Sequence, residues 1–149
     1  MELDFNKRYQ TMLTLWFALL MSVVMYFFVT VFAGANIQSP AANSSSSILT
    51  VVLTAVGTFL VVLSFVVKQK LLRRSVDNQD PSLVQKALIV ACAMCEVAAV
   101  FGLVERFVVA NKDYYLLFVV AAIGILFHFP KRSQLEAASF KQQTTVNRE

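Results

Sequence analysis

The sequence predicts an all-α fold, a four-helix transmembrane bundle with both termini cytoplasmic, and three observations lead there. The 149-residue chain is 58% hydrophobic and 15% charged, with a mean hydropathy of +0.66, whereas a soluble domain runs about 45–50% apolar and about 25% charged. No charged residue falls between Arg8 and Lys68, which leaves room for two crossings at about 20 residues each. Lys and Arg gather at the amino end (Lys7, Arg8), in a central segment (Lys68, Lys70, Arg73, Arg74, Lys86) and in the tail (Lys131, Arg132, Lys141, Arg148). Cationic loops mark the cytoplasmic side, so an even number of spans and both ends inside agree with each other. This composition excludes a disordered chain, a nucleic-acid arm and most cytosolic enzyme folds. A barrel fits poorly, because it needs alternating segments of about ten residues and these apolar runs are continuous.

The first span is expected over about 11–33, rich in Phe, Met and Val. Ala33-Gly34-Ala35 has the form of a signal cleavage site behind Lys7-Arg8. The apolar stretch exceeds the usual 7–15 residues or so, and Glu2 and Asp4 sit in the supposed basic region, which favours a retained helix. The uncharged connection that follows holds Pro40 and the run Ser44–Ser47, read as a flexible link capping the second helix. Asn43-Ser44-Ser45 fits a glycosylation acceptor, which matters only in a eukaryote. The second span is expected over about 48–67, followed by a polar cytoplasmic loop. Pro81 stands ahead of the third span, about 87–109, and Pro130 directly after the fourth and shortest, about 114–129. Proline does least harm in a helix's first turn or beyond its last. Residues 1–130 thus form one bundle and 131–149 a polar, loosely held tail. No internal repeat is evident.

One residue breaks the apolar pattern. Glu96 has Ala87 to Cys95 before it and Val97 to Val104 after it, all uncharged, which puts it near the bilayer midplane. A charged carboxylate there costs about 2.5–3.5 kcal/mol on insertion scales. Desolvation favours the neutral form, and a carboxyl held that way suits reversible proton binding. The alternative is a protonated Glu96 acting as interhelical hydrogen-bond glue, worth about 0.6 kcal/mol on average.

The residues after it read Val97-Ala98-Ala99-Val100-Phe101-Gly102-Leu103-Val104. A Glu, four small or apolar residues, then an aromatic, Gly, Leu and an aliphatic resembles the ion-carrying helix of the proteolipid (subunit c) of rotary ATPases. The hairpin from Ser47 to Val109, with its cytoplasmic loop, is similar too. The resemblance implies that Glu96 takes the role of the ion-carrying carboxylate. Two departures stand out: helix two has a single Gly57 where the proteolipid is Gly-rich, and two further helices flank the hairpin. Val97 follows the carboxylate in place of the sodium-binding glutamine-and-hydroxyl arrangement, so the implied ion is a proton.

Counting about ten residues inward from Lys86 reaches Glu96, and the same count back from Lys68 reaches Thr58. Thr50, Thr54 and Thr58 recur every four residues as a polar stripe. The expected site is therefore Glu96 hydrogen-bonded to Thr54 or Thr58, with Gly57 allowing close approach, and with Ser22 and Tyr26 of the first helix near the same level. Alternatively each Thr bonds back to its own helix. Ala91, Cys95, Ala98 and Gly102 fall on one face of the third helix, where small residues let another backbone come close.

Cys92 and Cys95 form a C-x-x-C inside an apolar span, read as inert small residues; no metal site is expected, since zinc takes about four ligands. His128, the single histidine, is read as an interfacial anchor beside Lys131-Arg132. Glu105 and Arg106 are read as interfacial charges near the outer surface, paired with Lys112 or Asp113, with Glu105 facing away from Glu96. Tyr114 and Tyr115 fit the aromatic belt.

The expected function is a small multi-pass, proteolipid-like subunit of a bacterial plasma membrane, whose Glu96 binds and transfers a proton. The alternative is a structural or accessory subunit with Glu96 as polar glue. Its partners would be the lipid bilayer and other membrane subunits or identical copies, with no nucleic acid. No catalytic set or cofactor motif is present in the sequence, so an enzyme is not expected.

Overall fold

The computed structural model describes residues 2–33 and 44–138. The described chain is all-helical: α1 (Glu2–Ala33), α2 (Ser44–Asn78), α3 (Pro81–Val104), a π-helical turn (Glu105–Val109), α4 (Tyr115–Phe127) and a short α5 (Arg132–Ala138). The Ala33-Gly34-Ala35 motif from Gly34 on, Pro40, Asn43 of the glycosylation motif and the tail beyond Ala138 lie outside the described residues.

Among the described residues three helices are long and apolar enough to cross a membrane: Asn6–Ala33, Ile48–Asn78 and Pro81–Val109. A fourth crossing exists only if Tyr115–Phe127 and Arg132–Ala138, bent by 53° at the break, count as one span. By itself the 13-residue α4 is about 20 Å long, short of a hydrocarbon core of about 30 Å. Large apolar side chains stay exposed on the outer faces of all four, among them Phe32 (75%), Phe59 (62%) and Phe127 (72%). That is far more exposed apolar surface than a soluble monomer carries.

α2 does not stop where its charges begin. Lys68 to Asn78 continue the helix, because Lys, Gln, Leu and Arg are all good helix formers. The expected cytoplasmic loop shrinks to Gln79 and Asp80. Gln79 takes a left-handed conformation (φ 52°), its N–H donates to the Val76 carbonyl and the Asp80 N–H to the Ser75 carbonyl at 3.1 Å. This is a Schellman ending with glutamine at the position glycine prefers. Asp80 then caps α3, its carboxylate accepting from the Ser82 N–H at 2.9 Å, with Pro81 in the first turn.

That tight turn sets the hairpin register. Thr54 meets Glu105, and Ser64 meets Cys95, ten residues apart on both helices, so α2 and α3 reflect about the Gln79–Asp80 turn. Counting from Lys68 and Lys86 shifts each residue's partner by five positions, a slide of about 7.5 Å. Lys68 misleads because it marks no boundary: it is 8% exposed, and its ammonium donates to the His128 carbonyl at 3.1 Å.

α3 is the central helix. Ala87, Ala91, Cys95 and Ala98 are fully buried and Gly102 is buried with them, and α1, α2 and α4 all pack on α3. A Cβ added at Gly124 of α4 would lie 2.8 Å from Cys95 Sγ and 2.9 Å from Val61. One added at Gly102 would lie 3.0 Å from the Phe118 ring. The start of the tail also differs from expectation: α5 buries Leu135 and Ala138 against the core, since these two, three apart, share one helical face.

Candidate functional site

Glu96 lies midway along α3, half-buried, and its carboxyl pairs with the Ser22 hydroxyl of α1. The same hydroxyl lies 2.7 Å from the Leu19 carbonyl. A serine has one proton to donate, so the two contacts allow two hydrogen-bond arrangements. With Glu96 protonated, the carboxylic acid donates to Ser22 Oγ and the serine proton goes to the Leu19 carbonyl. With Glu96 ionised, the serine turns its proton onto the carboxylate. One hydroxyl rotor serves both protonation states.

Neither predicted threonine reaches Glu96. The Thr54 hydroxyl donates to Glu105 Oε1 at 2.7 Å. Thr58 is exposed and, with Thr50, Thr54 and Phe59, lines a groove on the outer face of α2. The register explains the correction: the level of Glu96 on α2 is that of Leu63 and Ser64. Gly57 is buried, but against Leu117 of α4 and Phe101 and Ala98 of α3, not beside Glu96. The stripe Ala91, Cys95, Ala98 and Gly102 faces this packing.

Glu105 is the residue that sequence reasoning missed. It is 1% exposed, not a surface charge, and its second oxygen accepts from the Asn111 side chain at 3.1 Å. The π-helical turn is the cause. It widens the end of α3, Ala110 turns left-handed (φ 55°), and the Asn111 N–H closes back on the Glu105 carbonyl at 3.0 Å. The loop therefore folds over the carboxylate, while the Arg106 guanidinium lies over the Tyr114 ring, 5.3 Å from its centroid. Glu105 turns to α2 and Glu96 to α1, as nine residues of helical rotation require. The signal available beforehand was the threonine stripe, which lacked an assigned partner other than Glu96.

A third polar group sits near the level of Glu96. His128, also 1% exposed, lies at the break after α4 and not at a surface. Its Nε2 is 2.8 Å from Ser64 Oγ, which lies 3.6 Å from Cys95 Sγ. Cys92 and Cys95 are free, buried thiols. Among the described residues no group of three or more His, Cys, Asp or Glu side chains is placed to hold a metal. On the α1 side, the Trp16 indole donates to the Ile125 carbonyl at 2.8 Å, which helps satisfy backbone freed by the break.

Comparison with protein-family models, with curated proteins and with solved structures returned no match.

Proposed function

We propose that this chain is a small multi-pass membrane protein in which Glu96 binds and releases a proton within the bilayer. The observation that carries the reading is the Ser22–Glu96 pair: a carboxyl midway along an apolar helix, with one hydroxyl partner able to satisfy both of its protonation states. A mid-membrane carboxylate is expensive, and a partner that stabilises the ionised form without adding a permanent charge keeps that form within reach. The proteolipid-like pattern from Glu96 to Val104 points the same way. The proposed setting is a bacterial plasma membrane with both ends cytoplasmic, α4 and α5 together completing the fourth crossing. Other membrane subunits or identical copies are the proposed partners, and no enzymatic role is proposed.

Two measurements test this. A hydrophobic carbodiimide should modify Glu96 in a pH-dependent way, located by mass spectrometry. In vesicles reconstituted with the protein and its native partners, Glu96→Gln should keep the helical content and abolish proton movement. Intact proton movement and complex function in Glu96→Gln sink the proposal. The second reading, Glu96 as glue, draws on the same bond, because it ties α1 to α3. It predicts that Glu96→Leu weakens assembly while Glu96→Gln does little.

A further inference from the structure

The break between α4 and α5 is tied to α2 by the His128 side chain and by the Lys68 ammonium on the His128 carbonyl. His128 is the only histidine in the chain, and its ring lies tilted by 47° against Phe65 of α2 with centroids 4.5 Å apart. Its Nε2 lies 2.8 Å from Ser64 Oγ, and that hydroxyl also lies 2.6 Å from the Val61 carbonyl. With the serine proton on the carbonyl, Oγ accepts from the ring, and His128 is the neutral Nε2–H tautomer. Its Nδ1 is then a bare acceptor, and this buried atom has no hydrogen-bond partner.

The charges around it are one-sided. From α2 comes the Lys68 ammonium, bonded to the His128 carbonyl. From α3 come the thiols of Cys92 and Cys95, and beyond them Glu96, whose carboxyl is turned away to Ser22. From α1 comes Trp16, which is uncharged. Three residues onward in the break stands Lys131. No carboxylate hydrogen-bonds the ring among the described contacts.

We propose that His128 is a proton-operated latch: neutral, it pins the α4–α5 break to α2 through Ser64, and protonation at Nδ1 releases it. The proton comes from bulk water and adds to the Nδ1 lone pair without breaking the Nε2–H···Oγ hydrogen bond, which is lost, together with the Phe65 contact, as the charged ring turns out. The imidazolium would face Lys68 with a second donor and no acceptor, an arrangement a low-dielectric interior penalises. Turning the ring away from Lys68 and out of the packed interior relieves both, and it carries Phe129 away from Trp16. This step does not depend on Glu96 carrying a proton.

The molecule holds its own reporter. Trp16 is the only tryptophan, its ring meets Phe129 edge-on with centroids 5.1 Å apart, and its indole bonds the Ile125 carbonyl. In the full-length chain in micelles, acidification from neutral pH should move Trp16 emission reversibly to longer wavelength by several nanometres. With histidine selectively 15N-labelled, the single imidazole should be the Nε2–H tautomer at neutral pH and become imidazolium over the same pH interval. His128→Gln, which keeps a donor for Ser64, should give flat emission. An Nδ1–H tautomer at neutral pH overturns the proposal. So does emission that changes without imidazole protonation, protonation without an emission change, or an acid transition that survives in His128→Gln. Should His128→Gln fail to fold, the two wild-type titrations still decide.

Discussion

The Thr54 hydroxyl donates to the Glu105 carboxylate at 2.7 Å, so the threonine stripe of α2 serves the outer carboxylate while a serine of α1 holds the central one. Two glutamates on one helix are thus each tied to a different neighbouring helix by a hydroxyl. Because Glu105 is almost fully buried, its partners should be energetically visible. Thr54→Val is expected to destabilise the bundle by about 0.5–2 kcal/mol. A double-mutant cycle with Glu105→Gln, read by unfolding in mixed micelles, should show coupling. Additive effects would mean that the contact carries nothing.

Ser22→Ala leaves Glu96 without its hydroxyl. Carbodiimide modification of Glu96 should become several-fold faster relative to wild type, while labelling of Glu105 stays as it was. Equal acceleration at both glutamates would indicate general loosening of the bundle, not loss of one partner.

Gly124 packs where no Cβ fits. Its two nearest neighbours, Cys95 Sγ and Val61 Cγ1, belong to short side chains on rigid helices and cannot swing aside. Gly124→Ala is therefore expected to cost about 1–3 kcal/mol, measured as a fall in unfolding midpoint. Combining it with Cys95→Ala should recover part of the loss, because that removes one of the two clashing atoms.

Gln79 holds a left-handed backbone without being glycine. Gln79→Gly should stabilise the hairpin by about 0.5–1 kcal/mol, provided the lost bond from its side chain to the Val76 carbonyl, at 2.6 Å, is the smaller term. A lower midpoint in Gln79→Gly would make that bond the larger one.

At the same turn, hydrogen bonds from Ser82, its side chain first and its backbone N–H second, hold the Asp80 carboxyl below the usual carboxylate range. A carboxyl whose folded pKa is depressed contributes stability above its unfolded value, about 3.9, and loses it as pH falls through the folded value. Wild type should therefore outlast Asp80→Ala at neutral pH, and the gap should close in strong acid. A gap that is constant with pH would show that the cap does not act as a carboxylate.

The helices were legible because each long apolar run forms one, although α2 continues through its charges to Asn78. Register was harder. Lys68 looked like a boundary because it is the first charge after a long neutral run, yet it is buried under a carbonyl of α4, a partner sixty residues away in sequence. Glu105 looked exposed because Arg106 follows it; only the widened turn and the left-handed Ala110 bring Asn111 over it. Pro130 announced an end to α4, but the side chain that anchors that end comes from α2. In each case local pattern gave the element, and a long-range polar contact decided its environment.

The two-residue connection between α2 and α3 has a consequence for the order of assembly. Closing a loop this short costs little chain entropy, and contacts near in sequence form first. These two helices should pair as soon as both are made, presenting a finished seam. α1, synthesised earlier but tethered by a longer link, then docks last of the three, so that the serine meets its glutamate only once the hairpin is whole. The Ser22–Glu96 bond would thereby mark a completed bundle and be missing from a partial one.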